Sequence, residues 1–173
     1  MSSLRLTNPE SELIVAAAVV NLEIDIDEVL EHCRLADFTV DLIVEVLSAA
    51  EAIQRLKRKP DLMAVLDHLG AQISAPEWQS FVQGVTTSRF ATHTLTHAKT
   101  IATCAKLRQL TAAVAECNRI VTKDGGQPAE MAEECANTIL SAVDAEADDD
   151  GKDIMLAGRQ WLASLEEIHR AGK

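Results

Sequence analysis

The sequence predicts an all-α protein, and three observations carry that expectation. Aromatic residues make up 3% of the chain and Tyr is absent, while Ala, Leu, Val and Ile dominate, a composition suited to aliphatic helix packing. Apolar residues recur at steps of three and four through most of the chain, the period of a helix face. Residues that cap helix N-termini stand immediately before these runs. At 173 residues the chain fits one domain, or one domain with an arm, and a domain of this size buries roughly 70% of its unfolded surface.

The first helix is read from Asn8 before Pro9 and runs to about Val20. The Asn side chain accepts an orphan N–H, and Pro occupies a first-turn position whose own N–H is not needed. Asp25 with Glu28, and Ser74 with Glu77 across Ala75 and Pro76, have the spacing of capping boxes. They open helices near 26–33 and 75–84. Between them, 39–57 carries Val40, Ile43, Val44, Leu47, Ala50 and Leu56 on a helical period, and 61–69 is a short helix stopped by Gly70. From Arg89 to Thr122 neither Pro nor Gly interrupts the chain. There Leu107, Leu110, Val114, Cys117 and Val121 alternate steps of three and four, a coiled-coil-type seam. Gly125 and Gly126 break this helix, Pro128 restarts one, and Met131, Cys135, Ile139 and Ala142 form a matching stripe, so the two make an αα-hairpin. The long helix is about twice the length of its returning partner, so part of its flank needs other cover. Self-association through the seam is therefore expected.

Residues 144–153 hold six Asp or Glu and read as a solvated linker. They separate a domain at 1–143 from an arm at 154–173. In the arm, Ile154, Ala157, Trp161, Leu165 and Ile168 share one helical face, an expected partner interface.

Composition narrows the function classes. Sixteen basic against 27 acidic residues give a net charge of −11, which opposes binding to phosphate backbones and anionic lipid over most of the surface. The one dense basic cluster, Arg55, Lys57, Arg58 and Lys59, lies at a helix C-terminus, where cations complement the helix dipole. Four cysteines without a CxxC pair and an N-terminus without an apolar signal core fit a reducing cytoplasm. The longest apolar run, 13–20, is far short of the roughly 20 residues that span a bilayer. His93 and His97 at i, i+4, with Cys104 two turns on, form a weak metal-ligand stripe, and Glu166 with His169 is a single Glu-x-x-His. No Ser, His and acid grouping suggests a nucleophile, and no cofactor is expected.

The order of elements resembles the N-terminal domain of DnaB-type replicative helicases. The residues that carry this are the helix Glu12 to Val20, the pair Asp37-Phe38, Pro60-Asp61-Leu62 opening a short helix, and then His97-Ala98-Lys99 and Leu107-Arg108-Gln109-Leu110 on the long helix. The resemblance covers about Pro9 to Val143, and 154–169 looks like the linker helix that follows in the family, with the motor domain beginning about where this chain stops. Two departures, Ala16-Ala17 in place of the family's Leu-Gly step and His97 where Tyr is usual, point to a distant relative from a phage or other mobile element. The resemblance implies a non-catalytic collar module. Its partners would be helicase subunits or its own copies, with primase or a helicase loader docking on it. Two alternatives stand beside it: a stand-alone accessory protein that loads, recruits or inhibits a host helicase, and a metal-binding helical bundle using His93, His97 and Cys104.

The sequence contains no GxxxxGK[ST] segment to cradle phosphates. The purified chain is expected to hydrolyse no ATP. Turnover that stays in constant ratio to the protein through successive purification steps would overturn this.

Overall fold

The computed structural model describes residues 6–70, 74–87, 93–122 and 127–144. Among these residues the structure is all-α: α1 (Pro9–Val20), α2 (Ile26–Leu30), a 3-10 turn (Leu35–Asp37), α3 (Asp41–Arg55), α4 (Leu62–Leu69), α5 (Ala75–Thr87), α6 (Thr94–Val121) and α7 (Pro128–Asp144). The expected all-α class is what the chain forms. It divides into two compact units, Met1–Ala105 and Lys106–Lys173, and the division falls inside α6. No helix among the described residues is long and apolar enough to cross a membrane.

Local capping sets most helix starts in the first unit. The Asn8 side chain accepts from Ser11 N–H at 3.1 Å, Asp25 from Asp27 N–H at 3.0 Å and Asp61 from Ala64 N–H at 2.8 Å. Glu77 reaches back to the Ser74 N–H at 3.3 Å and also meets the Ser74 hydroxyl. Gly70 ends α4 with φ at +52°, a conformation that favours glycine. Two other helices end in the left-handed region without glycine: Leu22 follows α1 at φ 59° and Lys57 follows α3 at φ 56°. Each ending is closed by a pair of backbone bonds, from Leu22 and Glu23 to Val19 and Ala18, and from Lys57 and Arg58 to Gln54 and Ile53. These bonds hold two side-chain-bearing residues in a geometry that costs about 1–2 kcal/mol each.

At the centre of the unit lies α1. From Val15 to Val20 every residue is buried, so this helix has no continuous solvent-facing side. It packs chiefly on α3 and α5, and α4 and α2 pack on α3 in turn. The same core cluster holds Ile26 and Val29 of α2, Ile43, Val46, Leu47, Ala50 and Ile53 of α3, Val65 and Leu69 of α4, Phe81 and Val85 of α5, and Ala98 and Ile101 of α6. Close approach to α5 is made at Gly84, where a Cβ would sit 2.9 Å from the Leu13 side chain. Trp78 and Phe81 stack at a tilt, with centroids 5.4 Å apart.

The Glu12 side chain enters this core. Glu12 is 1% exposed, and its carboxylate accepts from the Thr39 N–H and Val40 N–H, both at 2.9 Å, and from the Thr39 hydroxyl at 2.6 Å. Val40 is the N-cap residue of α3 and makes no side-chain cap of its own. A carboxylate from α1 therefore meets the positive end of the α3 dipole and satisfies the donors there. Nearby, Asp37 is buried and accepts from the Arg34 N–H at 2.7 Å. Burial, and then the charge of Asp37, push the Cys33 thiol up to about 12, so it stays protonated at any physiological pH.

Glu12→Ala would leave three donors around a buried site without an acceptor, and is expected to lower unfolding stability by about 3 kcal/mol. Thr39→Val, which removes only the hydroxyl donor, is expected to cost about 1 kcal/mol. Urea unfolding of both variants checks this, and equal losses would remove Glu12 from its place as the joint between α1 and α3.

Candidate interaction surface

The hairpin is the feature from which the sequence expects self-association. Residues 94–105 of α6 supply Ala98, Ile101, Cys104 and Ala105 to the buried interior of the first unit. Past Lys106 the helix belongs to the second unit, where Ala113 and Ile120 are buried and Cys117 is half-buried. On α7, Met131, Cys135 and Ala142 are half-buried. The helices meet at two cysteines: the Cys117 thiol donates to the Cys135 carbonyl at 3.5 Å, and the Cys135 thiol to the Cys117 carbonyl at 3.7 Å. Desolvation, and next the Cys135 thiol beside it, raise the Cys117 thiol above its ordinary value.

Outward-facing polar groups are satisfied locally. Thr111, Thr122, Thr138 and Ser141 donate their hydroxyls to the carbonyl one turn back. Arg119 donates to both carboxylate oxygens of Glu116, at 2.8 and 2.5 Å, and this holds Glu116 below its usual value. Both side chains are largely exposed, so the pair contributes little to stability.

The expected seam separates into two parts. Cys117 is spent inside the chain against α7. Leu107 is half-buried, while Leu110, Val114 and Val121 are 38%, 54% and 63% exposed. At about 100° per residue, Leu110, Val114 and Val121 lie within an arc of about 40°. Ala113, Cys117 and Ile120 form the adjacent arc, and these are the residues turned inward. The stripe on α7 shows a related shift, with Ile139 39% exposed. Two successive steps of four advance about 80° around the helix, which carries position 139 off the line begun by Met131 and Cys135, whereas a step of seven brings Ala142 back near Cys135. The inner stripe keeps Cys117 of the expected seam and adds Ala113 and Ile120, which that seam left out although their steps of four and three were the available clue.

The other candidates are dispersed. His93 is exposed, precedes α6 and lines an open cavity of about 270 Å³ with Glu23 and Glu28. The His97 ring is engaged through Nδ1 with the Ser11 hydroxyl at 3.0 Å, and Cys104 is buried. Among the described residues no group of three His, Cys, Asp or Glu side chains could hold a metal ion. Lys57, Arg58 and Lys59 line an open groove of about 490 Å³ together with Glu23, Asp25 and Glu28, so its lining carries both signs of charge. The arm face of Ile154, Ala157, Trp161, Leu165 and Ile168, and the pair Glu166 and His169, lie outside the described residues.

No family model matches the chain, and no curated protein matches it. In structure it is similar to the crystal structure of the N-terminal domain of DnaB helicase from Mycobacterium tuberculosis, with a TM-score of 0.65 and 19% sequence identity. The match covers 78% of this chain and 97% of that one. The fold is thus that of a DnaB N-terminal domain, as the order of sequence motifs implied.

The division of the seam predicts opposite outcomes for neighbouring positions on α6. Val114→Asp is expected to leave stability at low protein concentration within about 0.5 kcal/mol, as at an exposed site. Ile120→Ala is expected to cost about 2 kcal/mol or more through the cavity it leaves. Denaturation of dilute samples distinguishes the two, and a large loss in Val114→Asp would show that position 114 is packed within the chain.

Proposed function

We propose that this chain is a non-catalytic interaction and oligomerisation module of DNA replication, a counterpart of the collar domain of a DnaB-type replicative helicase. The observation that carries the reading is the shared fold, extending over 97% of the solved DnaB N-terminal domain. The exposed stripe of Leu110, Val114 and Val121 supports it. Three large aliphatic side chains along one helix face lose unfavourable contact with water when a second copy covers them. On this reading, pairing runs through the outer face of the hairpin, with helicase subunits, primase or a helicase loader as further partners. A net charge of −11 favours protein over nucleic acid as the ligand. The arm docks by its apolar face, helix in groove, with Trp161 at the centre of the contact.

Sedimentation equilibrium at micromolar concentration is expected to give at least twice the 18.7 kDa of one chain, and Val114→Asp to give the single-chain mass. In mixtures with a DnaB-type helicase, a stable complex is expected, which Trp161→Ala weakens by more than about 2 kcal/mol without altering far-ultraviolet circular dichroism. A single-chain mass for the unmodified protein at high micromolar concentration would remove the pairing. Failure to bind any such helicase would remove the place in replication.

A further inference from the structure

We infer that Cys117 and Cys135 form a reversible dithiol site, converted to an intrachain disulfide by a low-molecular-weight disulfide such as oxidised glutathione. The inference goes beyond the proposed function and does not depend on it. Of the four cysteines, Cys33 and Cys104 are buried in the first unit, and the Cys33 thiol is occupied with the Val29 carbonyl. Cys117 and Cys135 are half-buried and sit on facing helices.

Their mutual geometry distinguishes them from two unrelated thiols. Each sulfur reaches past the other to the opposite main chain, at 3.5 Å in one direction and 3.7 Å in the other. Side chains that cross in this reciprocal way lie next to each other. A disulfide requires close backbone approach, and reciprocal contact of each thiol with the other cysteine's carbonyl is the observation that points to it here. Rotation about the two Cα–Cβ bonds turns the sulfurs from the carbonyls toward each other. Half-burial leaves the pair open to a small oxidant.

The chemistry is ordinary thiol–disulfide exchange. One protein thiolate attacks a sulfur of oxidised glutathione, a protein–glutathione bond forms, and one glutathione thiolate leaves and takes up a proton. The second protein thiolate then attacks the protein sulfur of that mixed disulfide and expels the other glutathione. Two protein thiols have given up two protons and two electrons, and one glutathione disulfide has become two glutathione thiols. The new bond closes a ring over residues 117–135 and ties α7 to α6.

The test equilibrates the full chain in buffers of reduced and oxidised glutathione, traps free thiols with a maleimide, and maps the products by intact and peptide mass. The expected product is a monomeric chain lighter by two hydrogens, with Cys117 joined to Cys135 and with Cys33 and Cys104 trapped only after denaturation. Hydrogen exchange in α7 is expected to slow by about tenfold or more in the oxidised form. Cys117→Ser and Cys135→Ser should each keep a stable glutathione adduct on the remaining cysteine. Persistent adducts on both cysteines of the unmodified chain, a bond between chains, or thiols that remain reduced in oxidising buffer would each overturn the inference. The mapping of the unmodified chain decides the matter even if a serine variant fails to fold.

Discussion

A helix buried on every side has a problem of address: apolar contacts hold it in the core but do not by themselves set its rotation or its height. In α1 the Glu12 carboxylate supplies that address. It must find donors because an unpaired charge in the interior would cost far more than the helix gains by being there. The donors it finds are the N–H groups and hydroxyl at Thr39 and Val40, where α3 begins. The start of α3 is thereby pinned to the first turn of α1. At the other end of α3, Gln54 donates to Asp25 and Asp27 at the start of α2. Along its length α3 packs on α1, α2 and α4.

What was legible in the sequence follows from the range of the interactions involved. Asn8, Asp25 and Ser74 each bond within three residues of themselves, so a local reading finds them, and Gly70 announces its own left-handed turn. The α3 N-terminus is different. Its capping group lies 27 residues upstream on another helix, and Val40 offers no side-chain cap to mark the place. Leu22 and Lys57 are hidden for a related reason, since no glycine flags the left-handed conformation that the helix-ending bonds impose on them.

The hairpin shows a second limit. A helix of Ala, Leu, Val and Cys residues carries more than one line with alternating steps of three and four, and period alone does not say which line faces the partner helix. Of the expected line Leu110, Val114 and Val121 are exposed on the outer side, whereas Ala113 and Ile120 beside it are buried together with half-buried Cys117. The order of motifs carried further than any one stripe: at 19% identity to a solved domain the fold is shared.

The all-round burial of α1 also orders events in time. During synthesis α1 leaves the ribosome before α3 and α5, the helices on which it chiefly packs. A helix of 12 residues is marginal alone in water, and the core cluster to which its apolar run belongs is complete only after Ile101 has been added. Until then that segment is an exposed apolar stretch on a nascent chain, the kind of surface that chaperones shield and that aggregation exploits. Of the described helices, the first to be made is thus among the last to be enclosed, and the yield in a cell depends on what protects those six residues during that interval.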